Sequence, residues 1–346
     1  MTAPQIIDGV LENANLRQAK LAGTDFAGIQ FRQVDFSQAD LTETNFTQAD
    51  FQGCNFTSAQ LNGSLLLGAS FKECVLDQAG LANANLSTAT LTQVSLDGIQ
   101  GGQADLSASL LDQCSLSEAT LTGADLSLAR LKACSLDNTD LGGANLERLM
   151  ALDTDLSHAL FRDNSMVSAM LMKTKLTGQR FPGCTLDLTL FIEADLQGAD
   201  FSGSQFKDTQ FAQAKLTGAS FKGARLANVS LTLADLTGAD LSEAQFEFCD
   251  FSAAILNSAR CQNSRFATCV MLKLQAASSI WDQASLRLCD LSHAVLNQAS
   301  ARRATLDICN LHELQEEGTL WDGATFNNSA RTNPARAAAE TWAPPL

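Results

Sequence analysis

The sequence predicts an all-β fold, a parallel β-helix of square cross-section built from about 16 coils of four five-residue segments. Three observations carry that prediction. Leu or Phe recurs at every fifth residue along most of the chain, residues of one kind recur at intervals of 20, and glycine favours one place in the five-residue unit.

The five-residue period comes first. From Leu11 to Phe326 there are 64 candidate centres, of which 54 are Leu or Phe, and no insertion or deletion breaks the register. The residue two before each centre is usually small, and the one just before it is often Asp or Asn, as in "ANL" at 14–16 and "ADL" at 124–126. A period of five fits neither the 3.6 of a helix nor the 2 of a strand. It fits a chain that turns a corner after every fifth residue.

The number of corners per coil follows from the longer period. Cys54, Cys74, Cys114 and Cys134 are separated by multiples of 20, as are Cys249, Cys269, Cys289 and Cys309. Phe161, Phe181, Phe201 and Phe221 step by 20, and so do Gly178, Gly198, Gly218 and Gly238. Four segments therefore close one coil, and like residues stack on like across neighbouring coils. In "LTGADL" the glycine lies two after the centre, the third position of a turn that requires positive φ. Sixteen coils, 64 divided by four, stack to roughly 77 Å at the spacing of parallel strands. Of 19 Phe, 18 sit at centres and Tyr is absent, as expected of a narrow apolar shaft in which a phenolic hydroxyl has no partner.

The predicted segments are an N-terminal cap at 1–10, one β-helical domain at 11–326 without a linker, and a tail at 327–346. Capping coils made irregular by Glu316 are expected from about 312, because a carboxylate at a centre cannot point inward without a large penalty. Trp281 and Trp321 share one face with Ala301, so large and small side chains share a fixed shaft volume there. The tail "NNSARTNPARAAAETWAPPL" has no repeat and either packs Trp342 over the end of the shaft or stays mobile.

These residues resemble the pentapeptide repeat family, whose pattern is A(D/N)LXX, over about Leu11 to Phe326. The resemblance implies a right-handed quadrilateral β-helix. It does not fix a function: some members imitate DNA and protect type II topoisomerases, and others are associated with secretion systems.

Composition limits what the solenoid does. Formal net charge is −15; residues 1–200 carry 24 acids and 11 bases (−13), and the rest 14 and 12 (−2). No apolar run reaches the roughly 18 residues of a membrane helix, and "MTAPQIIDGV" lacks the blocks of a signal peptide. A soluble cytoplasmic protein is expected, with no membrane contact. Direct nucleic-acid binding is not expected of so acidic a chain.

No enzyme is expected, and no cofactor. The ten cysteines occupy inward positions without a CxxC spacing and read as buried small hydrophobes. His293 and His312 fall on adjacent coils with Glu313 alongside, a weak metal pair set against the simpler reading of surface residues. No phosphate-binding glycine loop and no group of nucleophile, base and orienter stands out.

The candidate interface is apolar. Centres Leu111, Leu131, Ala151, Leu171 and Phe191 share a face, and their neighbours should point outward. These are Leu110, Arg130, Met150, Met170 and Leu190 before the centres, and Asp112, Lys132, Leu152, Met172 and Ile192 after them. Leu110, Met150, Leu152, Met170, Met172, Leu190 and Ile192 thus form a predicted contact surface for a protein partner or for a second copy in a homodimer. Leu128, Val167 and Leu188 adjoin it at a corner, and Val270 and Leu272 make a smaller strip. The alternative is an acidic DNA mimic that binds a DNA-binding enzyme, a type II topoisomerase. Bases such as Arg130, Lys132, Lys173 and Lys175 interrupt the acids and weaken it.

Overall fold

The computed structural model describes residues 6–340 and residue 342. The predicted cap at 1–10 and tail at 327–346 therefore lie partly outside the described residues. The chain forms two compact units, one of Met1–Lys175 with Phe181–Thr185 and one of Leu176–Arg180 with Leu186–Leu346.

Each unit is a stack of 20-residue coils. In the first, a parallel ladder joins Val10–Glu12, Gln30–Arg32, Asp50–Gln52, Ser70–Lys72, Thr90–Thr92, Leu110–Asp112, Arg130–Lys132 and Met150–Leu152. Each residue pairs with the one 20 further on, as Leu11 with Phe31. The other three sides pair in the same register through single bridges, as Asn15 with Asp35, Lys20 with Asp40 and Asp25 with Asn45. Four sides and a step of 20 are the coil that the repeat predicts. The backbone is thereby satisfied along the stack rather than within a segment.

Corners follow from turn chemistry. After the centre Leu16, the Ala19 N–H donates to the Leu16 carbonyl at 3.0 Å, and Gln18 between them has φ 58°. Gly178, Gly198, Gly218 and Gly238 take φ of 67–70° at the equivalent place, as the sequence predicts. Most corners, however, hold another residue at the same angle, including Leu233 (φ 59°) and the β-branched Ile308 (φ 54°). Such residues resist this region by about 1–2 kcal/mol each. Pairing on both sides of every coil outweighs that strain.

One side differs in most coils, those between Leu152 and Gln205 pairing through single bridges alone. Corners that follow strand centres such as Phe31, Phe51 and Phe246 lack the turn bond, and there the chain runs as a short strand. In the second unit the ladder runs through Gln205–Lys207, Arg225–Ala227, Gln245–Glu247, Arg265–Ala267, Ser285–Arg287, Thr305–Asp307 and Thr325–Asn327. Its centres are Phe206 and every twentieth residue after it, whereas those of the first unit start at Leu11. The cysteine columns mark both ladders, because each cysteine sits three residues after a strand centre. Its thiol donates to the centre of the preceding coil, Cys54 to Phe31 O at 3.4 Å and Cys249 to Leu226 O at 3.4 Å. Thr154 and Thr209 do the same to Leu131 O and Leu186 O. A small polar hydrogen is therefore satisfied inside an otherwise apolar shaft.

Aromatic stacking follows the coil step. Phe51 is fully buried between Phe31, with ring centroids 5.0 Å apart, and Phe71, at 4.7 Å. In the second unit Phe246 and Phe266 stack at 4.7 Å. Nine of the ten cysteines are buried and Cys184 is half-buried. Burial pushes the Cys261 and Cys184 thiols up, which disfavours the reactive thiolate. With a water-soluble disulfide reagent, native protein should release at most one equivalent of thiol and unfolded protein all ten. Several thiols reacting in native protein would contradict the closed shaft.

The distortion expected at Glu316 does not occur. Residues 311–330 keep the turn and bridge pattern, and Thr305–Asp307 pairs with Thr325–Asn327. In this last described coil Leu311 is still buried, while Glu316, Trp321 and Phe326 are half-buried, and the Glu316 carboxylate reaches the Arg331 guanidinium. Trp342 does not cover the shaft: it is 70% exposed. Helix α1, Pro334–Glu340, precedes it and buries no residue.

Candidate functional site

The predicted outward residues point outward because centres point in. Ala151 and Leu171 are buried, and successive side chains of an extended segment alternate. Met150 pairs with Met170 across adjacent coils, with the Met170 N–H donating to Leu149 O at 2.7 Å and the Ala151 N–H to Met170 O at 2.9 Å. Leu152 is 36% exposed, and Met150, Met170 and Met172 are half-buried. Stacking lowers the exposure, since side chains one coil apart shield each other's flanks. What stays open is an outer surface of three thioethers, Met150, Met170 and Met172, with Leu152 beside them.

Leu110 does not join that surface directly. It is exposed, but Arg130 pairs with both Leu110 and Met150 and lies between them. Lys132, paired with Asp112 at 3.4 Å, separates Asp112 from Leu152 in the same way. Leu190 and Ile192 belong to the second unit, where both are half-buried beside the buried Phe191. Exposed Leu128 and half-buried Val167 lie in the first unit, at and beside the corner that precedes this face. The first unit thus presents Met150, Leu152, Met170 and Met172, with cations in the coil before.

Some charge near the face is paired across coils. Lys175 binds Asp155 at 2.8 Å. Burial raises the Asp155 pKa, but Lys175 and the Ser157 hydroxyl and N–H outweigh it and hold the carboxyl at about 2. Asp140 meets Arg162 at 3.5 Å, and in the second unit Asp307 meets Arg287 at 3.4 Å. Cross-coil pairs of this kind break up the acidic columns that DNA mimicry needs.

Two apolar features escape the sequence reading. Exposed Leu65 and Leu67 flank the centre Leu66 in the first unit. In the second, Phe248 (56% exposed), Leu288 and Ile308 share one corner column, all at positive φ. Phe248 is the single Phe of 19 that is not at a centre, and that exception was the available signal. The histidine reading also needs correction. His312 is buried rather than on the surface, and the carboxylate that meets His293 and His312 is Glu340, not Glu313.

Square coils of four five-residue sides, with outward faces around an apolar shaft, define a repeat solenoid. The chain belongs to the pentapeptide repeat family. The model for pentapeptide repeats (8 copies) matches residues 10–48, 124–163, 169–208, 204–242, 234–271 and 277–315, and that for a pentapeptide repeat region matches 44–121. Among solved structures, HetL, involved in heterocyst differentiation regulation in the cyanobacterium Nostoc sp. strain PCC 7120, is 20% identical, with 91% of this chain and 87% of that one covered and a TM-score of 0.15. Full-length QnrB1, a plasmid-mediated fluoroquinolone resistance protein, is 21% identical, with 68% and 90% covered and a TM-score of 0.17. A pentapeptide repeat protein of the Arabidopsis thaliana thylakoid lumen is 21% identical, with 38% and 70% covered and a TM-score of 0.17. At these values none of the three bears on what this chain binds. Comparison with curated protein sequences gives no match. No helix of the described residues is long and apolar enough to cross a membrane.

Proposed function

We propose that the chain is a non-catalytic, rigid binding scaffold in the cytoplasm that captures a protein partner on the apolar face of its first unit. The single observation that carries this reading is the pairing of Met150 with Met170 on adjoining coils, with Leu152 and Met172 beside them in outward positions. A repeat whose outward positions are mostly polar has no structural need for four large apolar side chains there. Contiguous exposed apolar area tends to mark interfaces, and the flexible thioether adapts to a partner's shape. Arg130 and Lys132, one coil away, are placed to orient an acidic rim. Ten unpaired cysteines fit a reducing compartment.

The test is Met170→Asp with Met172→Asp in the full chain. Folding should be preserved, while binding to the partner, or to a second copy if the partner is another molecule of this chain, is lost. Unchanged pull-down together with unchanged molar mass would contradict the reading. The competing reading, an acidic mimic acting on a type II topoisomerase, rests on the net charge of −15. It demands that purified protein alter supercoiling in a salt-dependent manner, and inertness in that assay removes it.

A further inference from the structure

We infer that His293, His312 and Glu340 form a binding site for a divalent transition cation, zinc being the best match, which clamps helix α1 to the coils beneath it. The three groups come from separate elements. His293 and His312 stand on adjacent coils, with rings 5.4 Å apart and edge to face. Glu340 ends α1 and places one oxygen, Oε2, 3.2 Å from His293 Nε2 and 3.2 Å from His312 Nε2. All three ligand atoms lie within 4.8 Å of one another.

Those separations suit coordination. Ligand atoms about 2.0–2.1 Å from a tetrahedral ion are about 3.3 Å apart, so only the two ring nitrogens need to close in. Two imidazoles and one carboxylate are a donor set for zinc, with water completing the coordination. Arg336 Nε binds the other carboxylate oxygen, Oε1, at 2.7 Å and leaves Oε2 facing the histidines.

The helix itself gives the site its purpose. α1 buries no side chain, so apolar packing does not hold it. Its junction with the coils is polar: Glu340 reaches both histidines, and the Asn333 N–H donates to His312 Nδ1 at 3.1 Å. That last bond puts the proton of a neutral His312 on Nε2. For Nε2 to bind a cation that proton must leave, and a neutral ring then carries it on Nδ1, facing the Asn333 N–H. Binding therefore has to turn the Asn333 peptide away. Asn333 also caps α1 through its side-chain oxygen, which accepts from the N–H groups of Ala335 and Arg336 at 3.0 and 3.1 Å. Occupancy should consequently register in the helix as well as in the ligands.

The experiment titrates chelator-treated full-length protein with zinc alone, by calorimetry and by competition with a chromophoric chelator. One zinc per chain is expected, with affinity reduced on the order of 100-fold by His293→Ala and by Glu340→Gln. His293 is half-exposed and Glu340 lies in a helix without buried residues, so neither variant should disturb the coils. His158→Ala, near Asp137 in the first unit, should change nothing. Hydrogen exchange should show altered protection at Asn333 and through 335–340 when zinc is added. Zinc binding no tighter than about 0.1 mM, or binding that survives both His293→Ala and Glu340→Gln, would overturn the site; so would tight binding with exchange at 333 and 335–340 unchanged.

Discussion

Leu171→Asp is expected to prevent the first unit from folding, while Met170→Asp and Met172→Asp, one residue to either side, leave it intact. Leu171 is fully buried in the shaft, and among the described residues no Lys or Arg is buried to pair with a carboxylate. An unpaired buried charge costs several kcal/mol even after relaxation, a large part of the roughly 5–15 kcal/mol that holds a domain together. Met170 and Met172 keep their outer sides open, so a carboxylate at either place stays hydrated. Far-UV circular dichroism and thermal melting of the three variants check this. Equal behaviour at 170 and 171 would mean that the five-residue alternation of inward and outward positions is wrong.

Phe51→Ala is expected to cost about 3–5 kcal/mol. The ring fills its layer of the shaft between Phe31 and Phe71, and neighbouring coils cannot close the gap because their spacing is set by backbone pairing on four sides. Phe51→Leu should cost about 1.5 kcal/mol or less, since the same column continues with Leu91 and Leu111. Phe51→Tyr should cost about 1–3 kcal/mol through its unpartnered hydroxyl. Denaturant unfolding measures all three. A tyrosine variant as stable as the parent would show that water reaches the shaft.

The coil was legible because the repeat imposes it. A centre every five residues and like residues every 20 leave only a four-sided stack, and the pairing of Leu11 with Phe31 follows directly. The strand-bearing side was not read, although the cysteines record it: Cys54 and its column sit three after one set of strand centres, Cys249 and its column three after another. The meaning of that offset appears only when the thiol is seen donating to the carbonyl 23 residues back. Corner strain was half legible. Glycine announced the positive φ, but nothing in Gln38 or Ile308 shows that pairing will force the same angle on them.

At the candidate site the sequence placed Met150, Leu152, Met170 and Met172 on the outside, because outwardness follows from register alone. The same register already placed Arg130 between Leu110 and Met150, and the ladder pairs them in that order. Glu340 was beyond reach. The tail has no repeat, and only the turn after Ala330 brings α1 back over His312.

The most direct test of the apolar capture reading is the salt dependence of partner affinity. With an affinity-purified partner, raising salt from about 0.05 M to about 0.5 M should leave the dissociation constant of the parent chain unchanged or slightly tighter, because apolar contacts are not screened. Met170→Asp with Met172→Asp should abolish binding at both salt concentrations. A steep, log-linear loss of affinity with salt, retained in the double variant, would contradict the account and place the binding on the acidic columns instead.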